Sequence, residues 1–334
     1  MPQNAIDVKQ ENIRSVLWSL YPDKCASGKA VTQMTGLSFA TVNTILNALV
    51  RSGKVLPGDT LPSSGGRPSQ TYRFNRNFAH VLALSVGVRA GHNCLHACVC
   101  DLCGETVWET DWTFEDITLD SLECVVDACL SEDPIIHVLA VSLPGTALNG
   151  TVLTSDYPAL AGLPLTQHLE QKYHLLTLLE NDVNAAVFGF SQNIGQASAT
   201  AGIYFPKHFN PGAGFVIDGK ILTGAGGYAG EIGLIPLGFE WTALDYENTL
   251  EISAAITQLI GIISCVINPH QIILYGDFFS EPVRAAIQTA LRAQEQHGLF
   301  PPLTFKQDLK SDILSGLFAQ SLAAYRNEPA RGLS

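Results

Sequence analysis

Ile13, Val16, Leu17 and Leu20 fall at i, i+3, i+4 and i+7, and Val42, Ile45, Leu46 and Leu49 repeat that spacing. Each set is one buried stripe of an amphipathic helix. The first predicts a helix over residues 9–21, stopped by Pro22. The second predicts a helix that begins at the N-cap Ser38 and ends at Gly53. Between them Ser27 can cap a short helix through Met34, and Gly36 suits a tight turn between two helices. Lys54-Val55-Leu56 and Gln70-Thr71-Tyr72-Arg73-Phe74 then read as two short strands around a tip rich in Pro, Ser and Gly. Three helices followed by a hairpin is the order of a winged helix-turn-helix.

Beyond residue 76 the pattern changes. Residues 80–88 and 93–101 are two apolar, β-rich runs joined by a turn, and residues 106–110 read as a third strand. A helix over residues 119–130 leads to the buried strand at residues 135–142. Strands and helices alternate to the C-terminus, which predicts an α/β fold. Ile252, Ile256, Leu259, Ile260 and Ile263 mark a long core helix that ends at Asn268-Pro269 and feeds a strand over residues 271–276. The expected organisation is therefore a head, residues 1–76, and a body, residues 77–334.

Charge sharpens that division. The head holds nine Lys and Arg against four Asp and Glu, a net of +5, whereas the body holds 10 against 27, a net of −17. A basic head on an acidic body fits a DNA reader on a body that does not touch DNA, because only the head must neutralise phosphates. The predicted recognition helix leaves Phe39, Ala40, Thr41, Asn43, Thr44 and Asn47 off its buried stripe, with exposed members available to a groove. Its candidate readers are Thr41, Asn43, Thr44 and Asn47. None makes the bidentate Arg–guanine contact, and Asn pairs with adenine, so the expected site leans towards A·T. Arg51, Lys54, Arg73 and Arg76 are the expected phosphate contacts. Gly65-Gly66-Arg67-Pro68 presents Arg67 on a small-residue tip suited to a narrow minor groove.

With 46% hydrophobic and 15% charged residues the chain can bury sizeable cores, and its length suits two or three domains. It has no run of 18 uncharged apolar residues, so no membrane span is expected. Residues 1–7 lack the apolar core of a signal peptide. The expected location is the cytoplasm, with the eight Cys reduced. Cys94, His96, Cys98 and Cys100 alternate onto one face of a strand, with Cys103 beyond it. Four consecutive same-face positions cannot converge on one ion, so no metal site is expected there.

Several motifs resemble the ROK (repressor, open reading frame, kinase) family. They are Thr35-Gly36-Leu37-Ser38, Ala40-Thr41-Val42, Gly65-Gly66-Arg67-Pro68-Ser69, Pro144-Gly145, Glu180-Asn181-Asp182-Val183-Asn184-Ala185-Ala186, Gly219-Lys220, Ala229-Gly230-Glu231-Ile232-Gly233 and Ile267-Asn268-Pro269. They span nearly the whole chain in the family's order. The resemblance implies an α/β body of the actin/hexokinase-like (sugar kinase) type, in two lobes, behind an N-terminal winged helix-turn-helix. It implies a sugar site in which Asp182 stands at the family's catalytic base, Asn181 at a sugar-binding amide and Glu231 at a carboxylate that grips ring hydroxyls.

The same resemblance exposes what is missing. The family's first phosphate loop, Asp-x-Gly-Gly-Thr, is Ser85-Val86-Gly87-Val88-Arg89 here. The second, Gly-Thr-Gly-Ile-Gly-x-Gly, is His208-Phe209-Asn210-Pro211-Gly212-Ala213-Gly214. The adenine-side Gly-Gly is Gly276-Asp277. The family's zinc motif is gone: Leu234 follows Glu231-Ile232-Gly233, and the Cys run is absent. On the sugar side, Ala159 replaces an Asn, and Phe190 stands where a Glu is expected. The expectation is a DNA-binding transcriptional regulator of carbohydrate-related genes, of the repressor type, with no catalytic residue, metal or cofactor. Its expected partners are double-stranded operator DNA, a sugar or sugar-phosphate effector, and a second copy in a homodimer. The competing readings are an ATP-dependent sugar kinase with an added head, and a scaffold that binds another protein.

Overall fold

The structure is a computed structural model that describes residues 5–22, 24–61, 69–89, 91–194, 199–207, 209–294 and 298–328. The predicted wing tip with Arg67, and His208 of the second loop, lie outside the described residues.

The head holds α1 (Ala5–Ser19), β1 (Cys25–Ser27), α2 (Gly28–Thr35), α3 (Phe39–Arg51), β2 (Val55–Leu61) and β3 (Ser69–Phe74). The first helix ends two residues short of the predicted limit, because a residue preceding proline is pushed out of the helical region. Ser27 caps α2 through Ala30 N–H, and Ser38 caps α3 through Thr41 N–H. Gly36 sits between them at φ 70°, the left-handed conformation a helix C-terminus favours. The three strands form an antiparallel sheet in the order β1-β3-β2. The β1 strand is absent from the sequence expectation, since three residues are too few to show a period. Val42, Ile45, Leu46 and Leu49 are buried against Val16, Leu20 and Val31, as the stripe requires.

The body repeats one arrangement twice. Its first half contains β4 (His80–Arg89), β5 (His92–Asp101), β6 (Thr106–Phe114), α4 (Leu119–Glu132), β7 (Ile136–Leu143), β8 (Gly145–Leu148), β9 (Thr151–Ser155), α5 (Leu165–Tyr173), β10 (Leu176–Asn181) and α6 (Asp182–Asn193). Its second half contains β11 (Ala199–Tyr204), β12 (Gly212–Ile217), β13 (Lys220–Ile221), α7 (Thr249–Val266), β14 (Gln271–Tyr275), α8 (Glu281–Gln294), β15 (Leu303–Lys306) and α9 (Lys310–Asn327). The two five-stranded sheets run β6-β5-β4-β7-β10 and β13-β12-β11-β14-β15. In each, three antiparallel strands are followed by two parallel ones reached through helical crossovers.

The helices α6 and α9 follow the last strand of each half, and each packs on the sheet of the other half: α6 on β12 and β11, α9 on β7 and β4. They touch each other where a Cβ on Gly316 would collide with the Ala185 carbonyl, and one on Gly189 with the Asp312 carbonyl. Glycine in a helix interior costs about 1 kcal/mol relative to Ala, so both are there for this close approach. Beside the crossing, Lys306 donates to both carboxylate oxygens of the buried Asp312, at 2.8 and 2.6 Å, and Tyr275 hydroxyl donates to the same group. That cluster pins the start of α9 to the second sheet.

The other end of α9 meets the head. The Arg326 guanidinium lies over the rings of Trp18 and Tyr21, 4.5 and 4.2 Å from their centroids. Tyr325 packs near Phe78, and Phe78 continues through Phe74 to Trp18 and Tyr21. Arg14 of α1 reaches the last carbonyls of α9, at Asn327 and Glu328. Val81 and Val138 of the first sheet, with Leu102 just past β5, join the same apolar cluster as the head's core. The helix α7 is long and apolar enough to cross a membrane by length and composition. Here Ile252, Ile256, Leu259, Ile260 and Ile263 bury it in the core of the second half.

Candidate functional site

Between the halves a small, partly open cleft lies at the tip of β10. The carboxyl end of a parallel strand, where a helix begins, is the usual place for a ligand in an open α/β sheet. Glu180, Asn181 and Asn184 line one side, Thr146 a second, and Gly230 with Glu231 the third. The backbone is shaped to make the opening. Gly145 has φ 120° and Gly230 φ 105°, and a Cβ on either would collide with a facing carbonyl, Thr154 or Ala213. Ala213 N–H donates to the Gly230 carbonyl and Gly233 N–H to that of Pro211, so the Ala229–Gly233 turn is laced to the start of β12.

The residues at the strand tip divide the work differently from expectation. Asp182 opens α6, and Asn181 is its N-cap, accepting from Asn184 N–H at 2.9 Å. Asn181 Nδ2 donates to the Gly145 carbonyl and to Asp182 Oδ1. Its amide is largely spent on the fold. Asp182 Oδ1 also accepts Val183 N–H. Loss of water, which the Val183 bond offsets in part, and the charges of Asp156 and Glu231 push the Asp182 carboxyl up to about 6. Burial raises Glu231, helped by Asp156. Burial also raises Glu180, against bonds from Asn181 N–H and Asn184 Nδ2. Glu180 and Asp156 are absent from the sequence expectation. The signal for Glu180 was its place at the tip of a strand, two residues before Asp182.

The cavity wall is therefore rich in acceptors and carboxylates, an arrangement that receives hydrogen bonds from a polyhydroxylated molecule and disfavours a phosphate. The buried Asn184 Oδ1 has no protein partner. Among the described residues no group of three or more His, Cys, Asp or Glu is arranged to hold a metal ion. His96 is buried and pairs with Asp111 at 2.8 Å, and Cys98 lies against Cys100 at 3.6 Å.

The segments at the expected nucleotide positions are engaged elsewhere. Residues 85–89 continue β4 and pair with β5, and Arg89 is ion-paired with Asp111. Gly214 survives for packing, since a Cβ there would come 3.0 Å from Asn184 Oδ1. Phe209 projects into solvent, and Asp277 pairs with Lys207 at 3.4 Å.

On the head, Asn43, Thr44, Asn47 and Arg51 lie together on the exposed side of α3. Ser38 and Thr41 bond each other through their hydroxyls, and Thr44 Oγ1 donates to the Ala40 carbonyl. The hydroxyls of Thr41 and Thr44 thus each hydrogen-bond within α3 and its N-cap while keeping acceptor capacity. Two of the expected phosphate contacts face the body. Arg76 is ion-paired with the buried Asp101 at 2.6 Å, and the half-buried Lys54 lies 5.7 Å over the Phe78 ring, where burial lowers its pKa. Arg51 and Arg73 remain exposed.

Residues 85–243 match the ROK family. A putative xylose repressor of Caldicellulosiruptor sp. is 25% identical over 243 residues, covering 70% of this chain and 60% of that protein. The chain thus spans about three-fifths of the length of that relative. An N-acetyl-D-glucosamine kinase of Vibrio parahaemolyticus is 30% identical over 122 residues, 35% of this chain and 40% of the kinase. Among solved structures, a ROK-family transcriptional regulator described as a homologue of the Escherichia coli MLC protein superposes with TM-score 0.65. That match is at 18% identity over 95% of this chain and 99% of that one.

Proposed function

We propose that the chain, whose residues 85–243 match the ROK family, is a sugar-responsive transcriptional repressor without kinase activity. The observation that carries the reading is the pairing of an open α2–turn–α3 surface with a body whose phosphate-binding loops are replaced. Residues 1–76 act as a winged helix-turn-helix whose α3 enters the major groove of operator DNA. Arg51 and Arg73 on the exposed side of the head meet phosphates, and Arg67 is the residue the sequence assigns to the minor groove. The relatives named as xylose repressors support this reading. The protein works in the cytoplasm as a homodimer, whose two heads address two half-sites.

The cleft receives a neutral sugar. Asp182 and Glu231 accept its hydroxyls, and Asn181 fixes the loop that presents them. Asp182 occupies the position of a kinase's base but has no phosphoryl donor to work with, because Arg89, Phe209 and Asp277 stand where a nucleotide's phosphates and base would be held. Signal transfer follows from the helices. The α6 helix starts at the cavity and crosses α9, and α9 runs to the head. A change in the angle between the halves therefore moves α9, and with it the heads.

The kinase relatives favour a second reading, an ATP-dependent sugar kinase carrying a head. Two measurements decide. Selection from random duplex DNA with the full chain should enrich one sequence. A coupled ATPase assay over a sugar panel should show no turnover. Turnover with any sugar, or no enriched sequence, would overturn the proposal.

A further inference from the structure

Residues 36–50 contain no charged side chain, so the leading three turns of α3 hold no Arg or Lys for guanine. What the tip of α3 does hold is apolar. Phe39, its first residue, is 56% exposed, and Ala40 beside it is also exposed. The Phe39 ring rests over the start of α2, where a Cβ on Gly28 would stand 3.5 Å from Phe39 Cε2. The missing side chain at Gly28 gives the ring a seat without covering it. One turn further on, the exposed Thr44 donates its hydroxyl to the Ala40 carbonyl at 2.9 Å and carries a methyl beside it. An exposed ring and two methyl-bearing exposed residues thus fall within the first two turns of α3, the part of a recognition helix that reaches base edges. Asn43 and Asn47 lie alongside.

Exposing such a group in water is unfavourable, and the head's net charge of +5 names the polyanion as its partner. The apolar group that a major groove offers is the 5-methyl of thymine, which Ala, Thr methyl and Phe contact. We propose that Phe39, with Ala40 and the Thr44 methyl, reads thymine in each half-site through its 5-methyl group. This rests on the DNA-binding reading above and adds to it the base that is read and the side chains that read it. It also assigns the methyl group of Thr44, one of the candidate readers, as its contact.

The test uses the full chain and the duplex it selects from random sequence. Each thymine in turn is replaced by deoxyuridine, which removes the 5-methyl and leaves every base-pairing atom unchanged. Burying one methyl is worth about 0.8 kcal/mol, so the wild-type chain should bind about fourfold more weakly at each thymine that is read. Phe39→Ala should bind the two duplexes equally at the thymine Phe39 contacts, and Phe39→Leu, which keeps an apolar tip, should retain part of the discrimination. Both variants should unfold with the wild type, since the ring is mostly exposed. Equal binding of every thymine and deoxyuridine duplex by the wild-type chain overturns the inference while leaving DNA binding intact. Failure to enrich any sequence overturns the DNA-binding reading, and the inference with it.

Discussion

Replacing Asp182 by Asn removes a carboxyl group whose environment opposes its charge. Its ordinary value is 3.8, and burial with the Asp156 and Glu231 charges lifts it to about 6. In the unfolded chain the group ionises near its ordinary value, so between about pH 4 and pH 6 the unfolded state releases this proton first. The unfolded state is then favoured, and the wild-type protein loses stability as pH rises through that window. The shift is about two pKa units, which corresponds to a cost of about 3 kcal/mol above pH 6, as an upper bound for a side chain that keeps some exposure. Asp182→Asn keeps an oxygen that can accept Val183 N–H and has no charge to bury. Its urea midpoint, followed by tryptophan fluorescence, should approach the wild type near pH 3.5 and exceed it at pH 7.5. The slope will not vanish, because Glu180 and Glu231 are raised as well. The same variant should lose any sugar-induced thermal shift. Parallel pH profiles for the two proteins would refute the picture of a desolvated, charge-crowded Asp182.

Other outcomes follow from the helices that link cleft and head. Arg326→Ala removes a cation held over two aromatic rings, each contact worth about 0.5–1 kcal/mol or more. It should leave sugar-induced thermal shifts intact and weaken the effect of sugar on DNA affinity, measured by anisotropy. Gly316→Ala drives a methyl into the Ala185 carbonyl, and overpacking of this kind costs about 1–3 kcal/mol. Its calorimetric melting temperature should fall, and more than that of an Ala substitution at the exposed Gly298. Ser38→Ala strips the N-cap of α3 and should cost about 1 kcal/mol of head stability in hydrogen exchange, with the body unchanged.

The head was readable from sequence because its helices announce themselves through caps and apolar spacing: Ser27, Ser38 and the Val42–Leu49 stripe are local signals. The partners of its cations were not readable. Arg76 and Lys54 look like phosphate contacts in the chain, and only the docking of head on body brings Asp101 and Phe78 to them. In the body, Asp182 and Glu231 were legible through the motifs that carry them; Glu231 lines the cavity, and Asp182 follows the lining residue Asn181 at the start of α6. Asp156 enters the site from a different segment, which no local pattern could reveal. The duplication of the sheet was hidden because strand order is a property of pairing between distant segments. Gly189 carries a local signal, since a glycine between Phe188 and Phe190 in a helix points to a close contact, whereas Gly316, between Ser315 and Leu317, carries none.

The most direct test of the central claim is the affinity of the full chain for its selected duplex across rising salt, from about 50 to 200 mM. Anisotropy should show log affinity falling linearly with log salt, and a scrambled duplex binding more weakly at every point. A flat salt dependence, or equal binding of the two duplexes, would contradict the claim that the head reads DNA.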